Sequence, residues 1–434
     1  MTQLSRRRFL NTSVGAVAAT QFFTGKASAA DVNGTIRAAV LGVNGRGRDH
    51  ISVLRKMQGV EIVMLCDPDE AVVRPRAQQL EKDTGRKVET VADLRRVFDR
   101  KDIDIVTVAT PNHWHALATI WACQAGKDVY VEKPGSHNIF EGRKMVEAAE
   151  KYKRMVQHGV QLRSSPAIQE AVKHLRDGLI GKVYMARGLV YRWRPSIGKK
   201  PDEAAPPANL NWDLWQGPAQ ERKFSRRLVH YNWHWHWDYG NGDVGNQGIH
   251  ETDMCQWGLD VKFPSQIVAM GGKFLFDDDK ETPEVLCSAY YYPEENKMIE
   301  FEVRPWCTNL EDGAGVGNIF YGSEGYLVIK GYGSYETYLG EKRTPGPKKS
   351  VGGEMEMHMA NFIEAVRTRK KELLNGPVET AHYSSGLAHL GNIAFRLNRR
   401  LQFDPKTEKF VGDEEADAFL TRNYRKPYVV PTEV

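Results

Sequence analysis

The chain is poor in cysteine. It has five in 434 residues (Cys66, Cys123, Cys255, Cys287 and Cys307), and no two of them form a C-x-x-C pair. That excludes a disulfide scaffold and a zinc-finger ligand set, leaving buried free thiols as the plain reading. A long hydrophobic run is missing too. The only sizeable one, within residues 14–23, falls short of the roughly 20 apolar residues a membrane-spanning helix needs. Charge of one sign is also lacking. Four of the 60 basic residues, Arg6, Arg7, Arg8 and Lys26, stand before Ala29 with no acid among them, so the other 56 meet 55 acids. A nearly neutral chain has no field to draw nucleic acid or an anionic membrane. Internal repeats are absent. What is there, 41% hydrophobic and 26% charged residues, is an ordinary globular balance long enough for two or three domains.

Ser5-Arg6-Arg7-Arg8-Phe9-Leu10 precedes the short apolar stretch, which is followed by Lys26 and the small-residue site Ala27-Ser28-Ala29. Charged, apolar and small-residue segments in that order describe a signal peptide. The paired arginines before Phe-Leu are similar to the twin-arginine signal, a bacterial address. Residues 1–30 are therefore expected to bring the chain, folded around a cofactor, to the twin-arginine export machinery and the periplasm. No stable membrane association is expected beyond that.

Residues 35–41 read as a buried strand running into Gly42-Val43-Asn44-Gly45-Arg46-Gly47. A helical pattern follows over 49–56, and the next apolar run, 60–66, ends at Asp67. Strand, glycine turn, helix, strand and acid form a βαβ unit whose glycines admit a pyrophosphate to the helix N-terminus. Asn44 stands where a second glycine belongs, but Asn tolerates a left-handed backbone best among the non-glycine residues. Asp67, 20 residues after Gly47, is placed to bond the adenosine ribose and to repel a 2′-phosphate. NAD is favoured over NADP, with Arg46 and Arg74 the cations that work the other way. The alternation continues. Strand 104–109 ends in Thr110-Pro111-Asn112-His113-Trp114-His115, and Val129-Tyr130-Val131 leads into Glu132-Lys133-Pro134. After a helix over 139–152 comes Gly159-Val160-Gln161-Leu162-Arg163.

These motifs, in this order, resemble the glucose–fructose oxidoreductase / inositol dehydrogenase / MocA (Gfo/Idh/MocA) family of NAD(P)-dependent oxidoreductases. The likeness covers about residues 35–401, and Glu132-Lys133-Pro134 is its most specific element. The expected fold is α/β, with an N-terminal Rossmann domain (31–163) and a C-terminal α+β domain (164–402) built on a mostly antiparallel open sheet. Residues 403–434 form an arm on the surface or on a neighbouring subunit. Helices near 354–368 and 383–399 are expected to close the second domain. The resemblance implies that its sheet forms a substrate lid and an interface between identical subunits. The expected cofactor contacts are Gly42, Asn44, Gly45, Arg46, Gly47, Asp67, Thr110, Pro111, Asn112, His115, Glu132, Lys133 and Gln161.

Between 192 and 241 the chain is rich in Trp, Pro and Arg, and His230-Tyr-Asn-Trp-His-Trp-His-Trp-Asp-Tyr239 is its most unusual stretch. If extended, His234 and His236 share one face and the tryptophans the other. Three readings stand open: a His-x-His metal pair, a packed aromatic core, and a platform for a sugar ring. No metal is expected, because no third ligand has a fixed spacing. The glycine-dense stretch 240–253 reads as backbone close to a ligand. In the resembling family an Asp four residues before a His works with the Glu-Lys-Pro lysine. His250 matches that His, and Asn246 replaces the Asp. Substrate contacts are expected from Arg163, Trp193, Tyr231, His234, Trp235, Asn246 and His250.

Oxidising a secondary alcohol removes a hydride from carbon and a proton from oxygen. Lys133 is expected to take the proton, with His250 relaying it or bonding the hydroxyl; Asn246 orients but accepts no proton. The leading expectation is an exported NAD-dependent oxidoreductase of a sugar, polyol or glycoside ring hydroxyl with a tightly held cofactor. The alternative is a glycoside hydrolase working by transient C3 oxidation and elimination. The third is a non-catalytic sugar-binding protein.

Overall fold

A computed structural model of the chain describes residues 34–199, 205–306 and 309–434. The export segment 1–30 and Cys307 lie outside the described residues.

Six short apolar runs make a parallel sheet: β1 (Ile36–Leu41), β2 (Val60–Cys66), β3 (Glu89–Val91), β4 (Ile105–Val108), β5 (Asp128–Val131) and β6 (Val156–His158). Their order is β3-β2-β1-β4-β5-β6, the doubly wound arrangement in which β1 and β4 part at a switch point. Both faces are covered, which is why these strands read as continuous apolar runs rather than alternating ones. Leu41, Val106 and Val131 pack on one side, and Val40, Ile105 and Tyr130 on the other. Helix ends are marked locally. Asp69 accepts the Ala71 N–H at the start of the Glu70–Thr84 helix, and Gly85 closes it in the left-handed conformation.

The second sheet has ten strands: β7 (Val183–Tyr191), β8 (Gln266–Gly272), β9 (Val285–Tyr292), β10 (Lys297–Arg304), β11 (Val316–Gly322), β12 (Gly325–Lys330), β13 (Ser334–Leu339), β14 (Thr344–Ser350), β15 (Leu401–Asp404) and β16 (Lys409–Phe410). They lie in the order β14-β13-β12-β11-β7-β10-β9-β8-β15-β16, antiparallel throughout except where β7 runs parallel to β10. One face is buried, and β10 shows it plainly: Ile299, Phe301 and Val303 point inward while Glu300 and Glu302 alternate outward. At one edge, β14 carries Pro345, Pro347, Lys348 and Lys349, residues that discourage further strand pairing. Helices Ile249–Leu259 and Val378–Leu397 cover the inner face.

One expectation about the second half needs correction. The Glu354–Thr368 helix does not close the second domain. Met359, Phe362 and Val366 pack instead under the first sheet, beside Tyr130. The C-terminal arm reaches Trp114 and Asp213. The Tyr428 ring lies 5.3 Å from that of Trp114, and its hydroxyl donates to Asp213.

Candidate active site

The strand ends at the switch point open into a cleft of about 700 Å³. Its first wall is the glycine turn. Gly42 has a φ of +77°, and a Cβ there would stand 2.6 Å from the Ala109 carbonyl oxygen. A Cβ on Gly47 would come within 1.9 Å of the Gly42 oxygen, so this glycine lets the Arg46–Leu54 helix pack against the turn and does not itself line the cleft. Gly45, at φ +49°, faces open space. Asn44 and Gly45 line the cleft at the start of that helix, their carbonyls accepting the Gly47 and Arg48 N–H groups at 3.1 Å. Asp67 closes β2 with its carboxylate turned inward, accepting the N–H of Val43 and of Asp69, each at 3.1 Å. Burial pushes it up to about 6 against those hydrogen bonds.

Glu132 sits at the centre, 3% exposed. Its carboxylate takes hydrogen bonds from Arg46 (3.0 Å) and Gln161 (3.2 Å) and lies 3.1 Å from His50 Nε2. Burial alone would raise it, but the charge of Arg46 and the contact with His50 outweigh that and hold it well below the usual carboxylate range. Beside it, Lys133 Nζ donates to the Asn246 backbone carbonyl at 2.5 Å. Burial lowers this amine from its ordinary value, and Glu132 partly restores it. His250 is buried with Nδ1 unpartnered, and burial together with Lys133 keeps its imidazole neutral well below the normal range. Thr110 Oγ1, at the end of β4, is unpartnered as well. His115 lies under the turn with its ring nitrogens 2.6 Å from the Pro134 carbonyl and 2.7 Å from that of Thr110; kept neutral by burial, it donates to one of the two.

The far wall is a strap, residues 205–239, that leaves the second half and crosses to the first. It carries its own small core of Trp215, Phe224, Leu228, Trp233 and Tyr239. Asp69 is its anchor: Asn209 Nδ2 donates to one carboxylate oxygen (2.6 Å), and His230 Nε2 lies 2.9 Å from the other. Main-chain bonds from Glu70 to Asn209 and from Asn211 to Pro68, both 2.9 Å, extend the seam. Trp114 Nε1 reaches the Leu214 carbonyl at 3.1 Å.

Residues 230–239 are not extended. Asn232–Trp235 form a 3₁₀ turn, so His234 and His236 do not share a face. His236 turns away to Glu281, and Trp235 packs behind the cleft against Arg194 and Lys280. His234 does line the cleft, stacked 3.6 Å on Trp233, and burial pushes it down to about 3. Among the described residues no three potential ligands cluster as a metal site would require. Stretch 240–253 holds the helix Gly242–Asn246 and the start of Ile249–Leu259, and two of its glycines serve packing: a Cβ at Gly240 would strike the His234 backbone (2.5 Å) and one at Gly248 the Phe301 ring (2.4 Å). Two more expected substrate contacts lie elsewhere. Arg163 forms a bidentate pair with buried Asp253, and Trp193 stands half exposed against Trp306, outside the cleft.

The remaining expected residues, Arg46, Pro111, Asn112, Gln161, Tyr231, Asn246 and His250 among them, line this one cleft. So do several that sequence reasoning missed. Arg194, locked to Asp243 at 2.7 and 2.8 Å, donates to the Tyr231 hydroxyl at 3.1 Å. Asn246 Nδ2 reaches the same hydroxyl at 3.3 Å. Arg192 bonds Gln247, which in turn reaches Tyr332 and Glu251. The one signal for them was the Arg192-Trp193-Arg194 alternation leaving β7, which sends both arginines to one side.

The chain matches the Gfo/Idh/MocA oxidoreductase family in two parts: its NAD-binding Rossmann fold over residues 36–160, and its C-terminal alpha/beta domain over 166–271 and 346–430. An alpha-N-acetylgalactosaminidase of Shewanella oneidensis is 34% identical over 120 residues, 27% of this chain and 26% of that protein. The chain thus spans about a quarter of the length of such curated relatives. The levoglucosan dehydrogenase of Pseudarthrobacter phenanthrenivorans is 26% identical over 194 residues, 44% of this chain and 42% of that protein. Among solved structures, the WlbA dehydrogenase of Bordetella pertussis, in complex with NADH and UDP-GlcNAcA, superposes with a TM-score of 0.64 at 18% identity. That match covers 85% of this chain and 99% of the other, a likeness of fold.

Proposed function

The chain belongs to the Gfo/Idh/MocA oxidoreductase family, and from that premise we propose that it is a sugar, polyol or glycoside dehydrogenase that holds NAD in the cleft. The observation that carries this reading is the meeting of two unlike ends in one cavity: a glycine cradle with a helix N-terminus at one, and Lys133, His250, Asn246 and Tyr231 at the other. The cradle fits a dinucleotide by its own geometry: Gly45 borders open space in the cleft, and Gly42, at φ +77°, keeps the turn against Ala109 where a Cβ would clash. The nearest residues to hold NAD are Asn44, Gly45, Arg46, Asp67 and Thr110. When bound, it supplies the hydride acceptor.

The protein's part is then positioning and proton transfer. Lys133, lowered by burial and aimed by the Asn246 carbonyl, takes the hydroxyl proton. His250 is neutral and bonds the reacting oxygen through its ring. Asn246 serves through its backbone carbonyl, which explains how an Asn can stand where the family has Asp. Tyr231, whose oxygen accepts from Arg194 and Asn246, keeps its own O–H for a neighbouring hydroxyl. His234 favours a second reading, redox-assisted glycoside hydrolysis: with its Nδ1–H given to the Tyr231 carbonyl, Nε2 of this cleft residue is left as a base. Oxidation at C3 acidifies the C2 proton, a base removes it as the glycosidic oxygen leaves, water adds, and the hydride returns to C3.

The proposal extends to a 1–30 twin-arginine signal and periplasmic destination, a cofactor held through many turnovers, domains divided at 31–163 and 164–402, and a homo-oligomer. Mass spectrometry of the denatured mature protein should release stoichiometric NAD(H). On a glycoside panel a ketosugar marks the dehydrogenase, and free sugar without net NADH marks the hydrolase. Absence of nucleotide binding would leave only a sugar-binding protein. Lys133→Met should keep NAD and abolish turnover; unchanged turnover would remove Lys133 from the mechanism.

A further inference from the structure

Where β7 ends, the chain continues past the cleft as Arg192-Trp193-Arg194, and its two arginines are used differently. Arg194 is spent, because both oxygens of Asp243 take its guanidinium at 2.7 and 2.8 Å. Arg192 is not. Its main-chain N–H is held by the Arg304 carbonyl (3.1 Å), and its exposed side chain lines the cleft. Among the described residues that side chain makes one hydrogen bond, from Nη1 to Gln247 Oε1 at 2.9 Å, and no ion pair. The rest of the guanidinium fork is left for a ligand.

That single bond settles the hydrogens of its neighbours. Arginine only donates, so Gln247 turns Oε1 toward it and Nε2 the other way. Nε2 donates to the Tyr332 hydroxyl at 2.6 Å and to Glu251 at 3.2 Å. The Tyr332 oxygen thus accepts from the protein and keeps its own O–H, which burial holds on by raising the phenol to about 12. Glu251 does not cancel the charge of Arg192, since burial raises it to about 8 and leaves it uncharged at neutral pH. Glu132 is taken by Arg46 and His50. Glu354 also lines the cleft and, among the described residues, pairs with neither Arg192 nor Tyr332. The Tyr332 ring stands 5.2 Å from that of His250, edge to face. The unspent donors therefore lie within a monosaccharide's reach of the reacting hydroxyl.

We propose that Arg192 and Tyr332 select a carboxylate carried on the sugar ring, so that the substrate is a uronate or its glycoside. The inference rests on the reading of the cleft as a sugar dehydrogenase and adds the class of sugar. A guanidinium matches both oxygens of a planar carboxylate, and the Tyr332 O–H adds a third hydrogen bond. A neutral hexose brings only a hydroxymethyl group to the same place and leaves the charge of Arg192 unmatched. Gln247 is a positioning residue that holds fork and phenol side by side.

The test is calorimetric titration of the purified full-length protein, with the cofactor it retains. The ligands are the methyl glycosides of glucuronate, galacturonate and mannuronate, each beside its neutral hexoside and the hexose 6-phosphate. At least one uronide should bind more tightly than both of its counterparts, by about tenfold or more. Arg192→Gln should bring that preference to within about twofold and Arg192→Lys should restore part of it, while Tyr332→Phe should reduce it by about three- to tenfold. Nucleotide content and circular dichroism should match the parent's, because Arg192 is exposed and makes a single side-chain bond. Uronides no tighter than hexosides, a stronger hold on the 6-phosphates, or a preference that survives Arg192→Gln would each overturn the proposal. Mass spectrometry of the sugars after incubation reads the redox chemistry separately. A uronide preference without any ketone refutes the dehydrogenase and leaves the carboxylate site standing; ketone from neutral hexosides without a uronide preference does the opposite.

Discussion

If the strap keeps NAD in place, loosening its anchor should release the cofactor. The anchor is two side-chain bonds onto Asp69, from Asn209 at 2.6 Å and His230 at 2.9 Å. Asp69 itself is left intact because it also caps the Glu70–Thr84 helix; the perturbation is the pair Asn209→Ala and His230→Ala. A hydrogen bond to a charged group is worth about 1.5–3 kcal/mol, and partly exposed donors belong near the lower end. Two of them give about 3 kcal/mol. Opening of the strap would then be favoured by roughly 100-fold, at about tenfold per 1.4 kcal/mol. The main-chain seam at Asn209 and Asn211 remains, so the protein stays folded. The assay is exchange of bound NAD against excess labelled NAD, followed by rapid filtration. Exchange within twofold of the parent, with the double variant binding NAD stoichiometrically, would refute the idea that the strap retains the cofactor.

Glu132→Gln removes a charge that raises Lys133, and an opposite charge beside a titrating group is worth about 1–3 pKa units. A base that works unprotonated then becomes available at lower pH. The acidic limb of the pH–rate profile should move down by about 1–2 units, and an upward move would contradict the assignment. Asp67 titrates near 6 because burial opposes its charge. Its acceptor capacity is present above that pH and lost below it, so NAD retention should weaken as pH falls through about 6. Asp67→Asn should flatten that dependence and narrow the preference for NAD over NADP; a profile like the parent's would show that Asp67 does not touch the ribose. Gly47→Ala forces a methyl to 1.9 Å from the Gly42 oxygen, a backbone atom that cannot yield. Thermal unfolding should show a loss of about 3 kcal/mol or more, with NAD binding lost alongside.

How much of this was legible beforehand depended on the range of the interactions. The βαβ unit was readable because its signals are local: an apolar run, a turn glycine and an acid at a strand end say the same thing within some 30 residues. The residues such strands present, from Gly42 to Glu132 and Lys133, were therefore named from sequence and line the cleft. The strap could not be read this way. Alternating His and Trp over 230–239 mimic a strand, yet their partners lie in different directions. His230 goes to Asp69, His236 to Glu281, and Trp235 sits among Arg194 and Lys280. Only a tight turn sends neighbouring side chains three ways, and nothing in the local pattern says where Asp69 or Glu281 will be. Arg163 failed for the same reason, its carboxylate partner Asp253 being 90 residues away. The half of the cleft that faces the substrate is built largely from such distant pairings. Sequence motifs thus reach the strand ends of the first sheet, and the rest of the cleft wall, the strap, Arg194 and Tyr332, is fixed by partners the local pattern does not name.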